Sequence, residues 1–184
     1  MRIIAGKWKG HALQTPKNNL TRPTSDRIRE ALFSALESRI HFNETHVLDL
    51  FAGTGALGLE ALSRGAETCY FVENMTAAWA VIESNIHALG AVDKSHLLKR
   101  DAVHLGNHDR QAPLFNLVFL DPPYGKGLAE KTLHCLKEGR WLAEDALLVV
   151  EEDKRADFMT PMGFDEINRR AYSDTEITLL SYTS

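Results

Sequence analysis

A chain of 184 residues, 44% hydrophobic and 25% charged, is too apolar to be disordered and too mixed to be collagen-like or low in complexity. At roughly 150 residues per domain it makes one domain. With only Cys69 and Cys135, no signal-peptide core and no apolar run of bilayer length, it reads as a soluble, cytoplasmic protein.

The net charge of −4 is unevenly spread: in residues 1–30 seven cations face two carboxylates, a charge of +5 that leaves −9 on the rest. A basic head on an acidic body favours a polyanion held at one end and argues against membrane adsorption. Residues 1–15 read as a small β-hairpin around Gly6 and Gly10, ended by Pro16. Residues 1–20 are therefore set apart as a basic appendage on a main domain spanning 21–184. Thr24 is placed to cap a helix whose stripe is Ile28, Ala31, Leu32, Ala35 and Leu36, with Asp26 at its positive end. From Val47 strand and helix alternate: strand 47–51, helix 56–64, strand 68–72, helix 76–89 stopped by Gly90, then strands 96–99 and 115–120. A helix over 128–137, a strand over 146–151 and a closing antiparallel pair, 164–171 with 176–182, complete the chain. Apolar strands alternating with amphipathic helices predict an α/β fold: a mostly parallel, seven-stranded, Rossmann-like sheet covered on both faces, with ligands at the carboxyl ends of the strands.

Val47–Gly58 ends the first of these strands and opens a helix. Gly53, Gly55 and Gly58 spell G-x-G-x-x-G, and Glu73 lies twenty residues past Gly53, at the end of the next strand. Taken alone, the pattern is a nucleotide fingerprint in which glycines admit a ligand to the backbone and the acid binds ribose hydroxyls. Asp49, four residues before the first glycine, would repel a pyrophosphate and suits the ammonium of S-adenosylmethionine; the chain is also short for a dinucleotide enzyme. Asp101, after the third strand, is placed to face an adenine amino group. Phe51, Asn74 and Ala102 adjoin these positions and join the cofactor set.

The fourth strand runs into Asp121-Pro122-Pro123-Tyr124. Consecutive prolines fix the path out of the sheet. Asp121 and the Pro122 carbonyl can then accept both hydrogens of an exocyclic amine while Tyr124 stacks on its base, worth roughly 1–3 kcal/mol. Turning those hydrogens away aims the amine's lone pair at a methyl donor, and positioning of this kind is worth roughly 7–11 kcal/mol.

Asp49–Gly58 together with Asp121–Tyr124 resembles the class I S-adenosylmethionine-dependent methyltransferases that modify exocyclic amines. Arg2–Gly10, Thr21–Phe33 and Val47–Ala66 narrow the resemblance to the bacterial RsmD-type 16S rRNA (guanine(966)-N(2))-methyltransferases. The likeness covers most of residues 1–124 and thins after about 150. It implies S-adenosylmethionine as cofactor, N2-methylguanine as product and 16S rRNA in a small ribosomal subunit particle as substrate, which brings ribosomal proteins within reach. It implies cofactor roles for Asp49, Gly53, Gly55, Gly58, Glu73 and Asp101, and a target-base role for Asp121 to Tyr124. Ser173 stands where the family pattern leads one to expect a glycine-containing turn.

Lys7, Trp8, Lys9 and His11 interleave cation and aromatic, as single-stranded RNA contacts do. Arg2, Lys7, Trp8, Lys9, Arg22, Arg27 and Arg29 are the expected RNA-binding residues, against a bland alternative in which Trp8 packs on the body. His104 and His108 beside Asp109 make no metal site by spacing, Cys135 reads as a packed helix residue, and Glu151–Lys154 as a solvated strand end. Three rivals stay open: an adenine-N6 methyltransferase, a non-catalytic RNA-binding module and a nicotinamide oxidoreductase.

Overall fold

A computed structural model describes residues 1–16, 25–124 and 126–183. Its strands are β1 (His46–Leu50), β2 (Thr68–Val72), β3 (Ser95–Leu98), β4 (Phe115–Leu120), β5 (Leu142–Asp153), β6 (Phe164–Tyr172) and β7 (Thr175–Tyr182). Its helices are α1 (Asp26–Glu37), α2 (Ala56–Ser63), α3 (Thr76–Leu89) and α4 (Leu128–Glu138). The seven strands form one sheet in the order β3-β2-β1-β4-β5-β7-β6. β1 to β5 pair in parallel, and β7 runs antiparallel between β5 and β6. The predicted Rossmann-like sheet with its C-terminal antiparallel pair is the fold observed.

The central strands are apolar throughout because both their faces are covered. On one face Val47, Phe71, Phe119 and Val149 pack with Phe33 of α1, Leu59 of α2 and Ile82 of α3. On the other, Leu48, Val118 and Leu148 pack with Leu133 and Leu136 of α4 and with Trp141. Among the described residues no helix is long and apolar enough to cross a membrane.

Several local expectations are revised. The cap of α1 is Ser25, whose side chain accepts from the Ile28 N–H; Thr24 lies outside the described residues. The N-terminal segment is the expected small hairpin, with a bridge between Arg2 and Ala12 and backbone bonds from Ile3 N–H to the His11 carbonyl, Gly10 N–H to the Ile3 carbonyl and Leu13 N–H to the Met1 carbonyl. Side chains of α2 hold it to the body: Glu60 accepts from the Ile4 and Ala5 N–H groups at 2.7 and 3.0 Å, and Ser63 Oγ from Trp8 N–H at 3.0 Å. Ile3 and Leu13 consequently lie in the same core as the central strands. β5 begins earlier than the predicted 146, because the polar Glu144-Asp145 interrupts its apolar pattern and the register against β4 shifts there.

The β6–β7 hairpin turns through Ser173, which takes φ 56° without being glycine. A side chain in the left-handed region costs roughly 1–2 kcal/mol, part of which glycine would return as unfolded-chain entropy. Ser173→Gly should therefore stabilise the fold by about 0.5–1 kcal/mol, read as a higher urea midpoint with an unchanged slope.

Candidate functional site

Strand register decides which side chains meet. Leu50 stands opposite Val72 on one side and Leu120 on the other, and Leu120 opposite Val150. One step further, Glu73, Phe51, Asp121 and Glu151 fall in a row along the carboxyl ends of β2, β1, β4 and β5. Neighbouring strands lie about 4.8 Å apart, so four polar or aromatic positions span roughly 14 Å of one edge.

Asp49 is buried behind this row, and its Oδ2 accepts from the Gly58 N–H at 2.9 Å. Gly55 is the cap residue of α2 and has no side chain to satisfy that donor, so a carboxylate from β1 does it instead. Burial, with Glu73 adding to it, pushes the Asp49 pKa up to about 8, while the Gly58 hydrogen bond pulls the other way. Gly53 has φ 58°, and a Cβ there would meet only the Phe51 carbonyl at 3.8 Å, so the loop is open at this point. Its N–H reaches Glu73 Oε2 at 3.0 Å, and Glu73 Oε1 accepts from Met75 N–H at 2.8 Å. Glu73 thus joins the glycine loop to the loop after β2.

The third glycine has another task. A Cβ on Gly58 would sit 2.4 Å from Phe71 Cε1 and 2.5 Å from Cys69 Sγ. Gly58 therefore lets α2 lie close on β2, its Cα facing the sheet. Asp101 sits at the end of β3 and caps the turn Ala102–His104, accepting from Val103 N–H at 3.1 Å and facing His104 Nδ1 at 3.2 Å. Ala102 is buried and Asn74 exposed.

Asp121 leaves β4 beside Glu151, with Pro122 buried and Pro123 exposed. Burial first, then the carboxylates of Glu151, Asp49 and Glu152, hold the Asp121 pKa well above the carboxylate range. The Tyr124 hydroxyl donates to Glu151 Oε1 at 3.2 Å and lies 3.5 Å from Thr175 Oγ1. Glu151 and Glu152 are 4% exposed, so the expected solvated strand end is instead part of the site. Their position directly after the apolar run Leu147–Val150 was the available signal; the following Asp153-Lys154 made it look like a solvent-facing charge run.

Asn85 of α3 is another residue the sequence did not single out. It is 1% exposed; its Nδ2 donates to the Thr54 carbonyl at 3.0 Å and the Gln14 carbonyl at 3.1 Å, and its Oδ1 accepts from Gln14 N–H at 2.8 Å. The glycine loop and the N-terminal segment are thereby held by one amide.

Of the expected RNA-binding residues, Lys9 and Arg27 are exposed, and Arg2 is exposed but pairs with Asp26 at 2.9 Å. Trp8 is half-buried against the core with the Lys7 ammonium 5.3 Å from its ring centroid. Arg29 is corrected: it is 1% exposed, donates to the Arg2 carbonyl and Asp26, and cannot reach a phosphate. Arg22 lies outside the described residues. His108 packs edge-on against Phe115 and Trp141, and Cys135 is half-buried on α4.

The family model described as conserved hypothetical protein 95 matches residues 1–181. Ribosomal RNA small subunit methyltransferase D of Haemophilus influenzae is 37% identical over 162 residues, 88% of this chain and 83% of that protein. The Escherichia coli K12 protein of the same name is 39% identical over 153 residues, 83% of this chain and 75% of its own length. The solved structure of yhhF from Escherichia coli superposes with a TM-score of 0.84 at 33% identity, covering 100% of this chain and 98% of its own.

Two outcomes test the geometry. Gly58→Ala must push α2 off β2 and should lose about 1–3 kcal/mol of stability in urea unfolding. Asp49→Asn keeps an acceptor for Gly58 but removes the titration. A pKa raised on folding means that the native chain holds its proton more tightly than the unfolded chain, so the stability Asp49 contributes is full below about pH 4 and falls toward about pH 8. The Asn variant should therefore gain on the wild type steadily across that interval; a constant difference would mean that Asp49 titrates normally.

Proposed function

Because the chain belongs to the conserved hypothetical protein 95 family, that of the RsmD-type rRNA methyltransferases, we propose that it methylates the exocyclic N2 amine of a guanine in 16S rRNA, position 966 by family likeness, with S-adenosylmethionine as donor. The single observation that carries the cofactor reading is the Asp49–Gly58 hydrogen bond at the start of α2. In a dinucleotide site that helix end receives a pyrophosphate; here a carboxyl group of the chain already occupies it, and the row beyond carries Glu73, Asp121 and Glu151. The donor set suits a nucleoside that carries positive charge and no phosphate. Glu73 retains lone pairs for ribose hydroxyls beside the open backbone at Gly53, and Asp101 with Ala102 lies where an adenine edge would end. When bound, S-adenosylmethionine supplies a methyl on a sulfonium, which the amine nitrogen takes up while losing one proton.

The chain's own residues do the positioning. The proline pair holds Asp121 and the Pro122 carbonyl as acceptors for the two amine hydrogens, so that the nitrogen lone pair is directed rather than spread into the ring. Burial, and then the neighbouring carboxylates, raise the Asp121 pKa, and a positive charge among them would lower it toward the ionised, accepting form. Tyr124, tied by its hydroxyl to Glu151, keeps its ring edge fixed and its face available for stacking. Proton loss needs no strong base, because the nitrogen becomes acidic once alkylated. A stacked target must be turned out of its helix at a cost of a few kcal/mol. The small ribosomal subunit is the proposed substrate particle and the cytoplasm the proposed location.

The experiment is methyl transfer from labelled S-adenosylmethionine to unmodified small ribosomal subunits, followed by digestion to nucleosides. Label is expected in N2-methylguanine, with Asp121→Ala at least about a hundredfold slower, the order seen when a positioned transition-state contact is removed. Label in N6-methyladenine would replace the proposal with the adenine reading. Absence of label on subunits, naked rRNA and DNA would leave a non-catalytic module.

A further inference from the structure

A groove of about 460 Å³ runs between α1 and the outer hairpin, away from the cofactor loops. Ala35 and Arg39 form one wall; Asn168, Arg170 and Tyr172 of β6 form the other, with Ile177 of β7 on its floor. Asn168, Arg170 and Tyr172 are alternate residues of one strand and so share a face. The chain carries 25 acidic residues and a net charge of −4, yet among the described residues no carboxylate lines this groove. Arg39 and Arg170 are exposed and, among the described residues, neither is in an ion pair. An acidic protein has thus left one concave surface with only positive and neutral side chains, and an aromatic ring at its end.

The groove leads to the proposed catalytic turn. Ile177 pairs with Glu151, and Tyr172 with Thr175. Ile177 and Thr175 lie two apart on β7, so they face the same side, and Thr175 Oγ1 is 3.5 Å from the Tyr124 hydroxyl. A strand whose target base lies at Asp121–Tyr124 could therefore continue over Tyr172 into the groove.

We propose that this groove holds single-stranded rRNA flanking the methylated nucleotide, with Arg39 and Arg170 on phosphates and Tyr172 against a base. Single-stranded RNA is favoured over duplex because Tyr172 offers a stacking face and the groove is bounded by side chains on both walls. The inference rests on the RNA-methylating reading and extends its substrate contacts beyond the basic N-terminal segment.

The test is Arg39→Glu/Arg170→Glu against a charge-matched control, Arg110→Glu/Lys131→Glu, two exposed cations outside the groove. Binding is measured by anisotropy with a labelled single-stranded 16S rRNA fragment, and separately with small subunits. S-adenosylmethionine affinity and circular dichroism report the fold. The groove variant should bind the fragment at least about tenfold more weakly, with the log–log salt slope reduced by roughly 1.4 for two phosphates lost. It should keep its cofactor affinity, and its kcat should hold at saturating subunits while KM rises. The control should change none of these.

Equal weakening by the control, or unchanged fragment binding by the groove variant, would overturn the proposal. So would loss of binding to subunits alone, which would assign the groove to a ribosomal protein. A wild-type chain that binds no RNA overturns it too. A chain that binds RNA through the groove yet transfers no methyl leaves the groove standing and removes the catalytic reading.

Discussion

The interaction on which the site depends is a carboxylate placed at the start of a helix. Asp49 reaches from β1 to the Gly58 N–H and does for α2 what a side chain at Gly55 cannot. Gly55 takes φ 76° where the chain turns from strand to helix, and a Cβ there would press on Ile82 and Phe71 at 3.2 and 3.3 Å, so glycine suits the position. That choice leaves the helix without a cap of its own. Closing it from the strand fixes the loop between them, and with it the open backbone at Gly53. The close approach permitted by Gly58 then lets α2 lie on Phe71 and Cys69. On the outer side of α2, the buried Glu60 gathers two N–H groups of the N-terminal segment and the guanidinium of Arg64. The arm, the helix and the loop are thus one packed unit, which is why removing the arm would disturb more than surface charge.

The second constraint is electrostatic. Asp49, Glu73, Asp121, Glu151 and Glu152 are gathered at the same end of the sheet, and most are buried. Burial, with neighbouring carboxylates adding to it, raises the pKa values of Asp49 and Asp121. A chain optimised only for folding would not keep such a cluster. Its natural complement is a cation, which lowers those pKa values on arrival and is held less firmly once its charge is gone. For the proposed sulfonium donor that distinction would separate substrate from product.

Most of the fold was legible because its determinants are local. β2, β4 and α3 have the bounds their apolar patterns predicted, since apolar runs of strand length and a helix ended by Gly90 carry their own punctuation. β5 was read short because Glu144 and Asp145 break its pattern where the register shifts. In the site, the glycine loop and the proline turn announced themselves, but residues contributed from a distance did not. Glu151, Thr175 and Asn85 acquire their roles only when β5, β7 and α3 are set beside the loops they serve. Arg29 failed in the opposite sense: on a helix of alternating charge it reads as solvent-facing, whereas the carbonyl of Arg2 and the carboxylate of Asp26 draw it inside. Burial pushes its pKa down, and Asp26 and Glu60 oppose that shift.

Charge placement also answers how a chain of net charge −4 could hold a polyanion. Net charge governs the distant field, while contact is governed by charges within about a Debye length, roughly 8–10 Å at moderate salt. Five of the 25 carboxylates, Asp49, Glu73, Asp121, Glu151 and Glu152, gather at one end of the sheet, where the proposed function wants a base edge rather than a phosphate. Exposed cations lie elsewhere: Lys7 and Lys9 near the C-terminal end of α2, where the Lys7 N–H donates to the Ser63 carbonyl, Arg27 on α1, and Arg39 and Arg170 in the groove between α1 and β6. Under the proposed function a phosphate backbone is repelled from the row and attracted to those cations. On that reading the distribution favours presenting a single base at Asp121–Tyr124 while the backbone stays outside the row, and the acidic body serves recognition instead of opposing it.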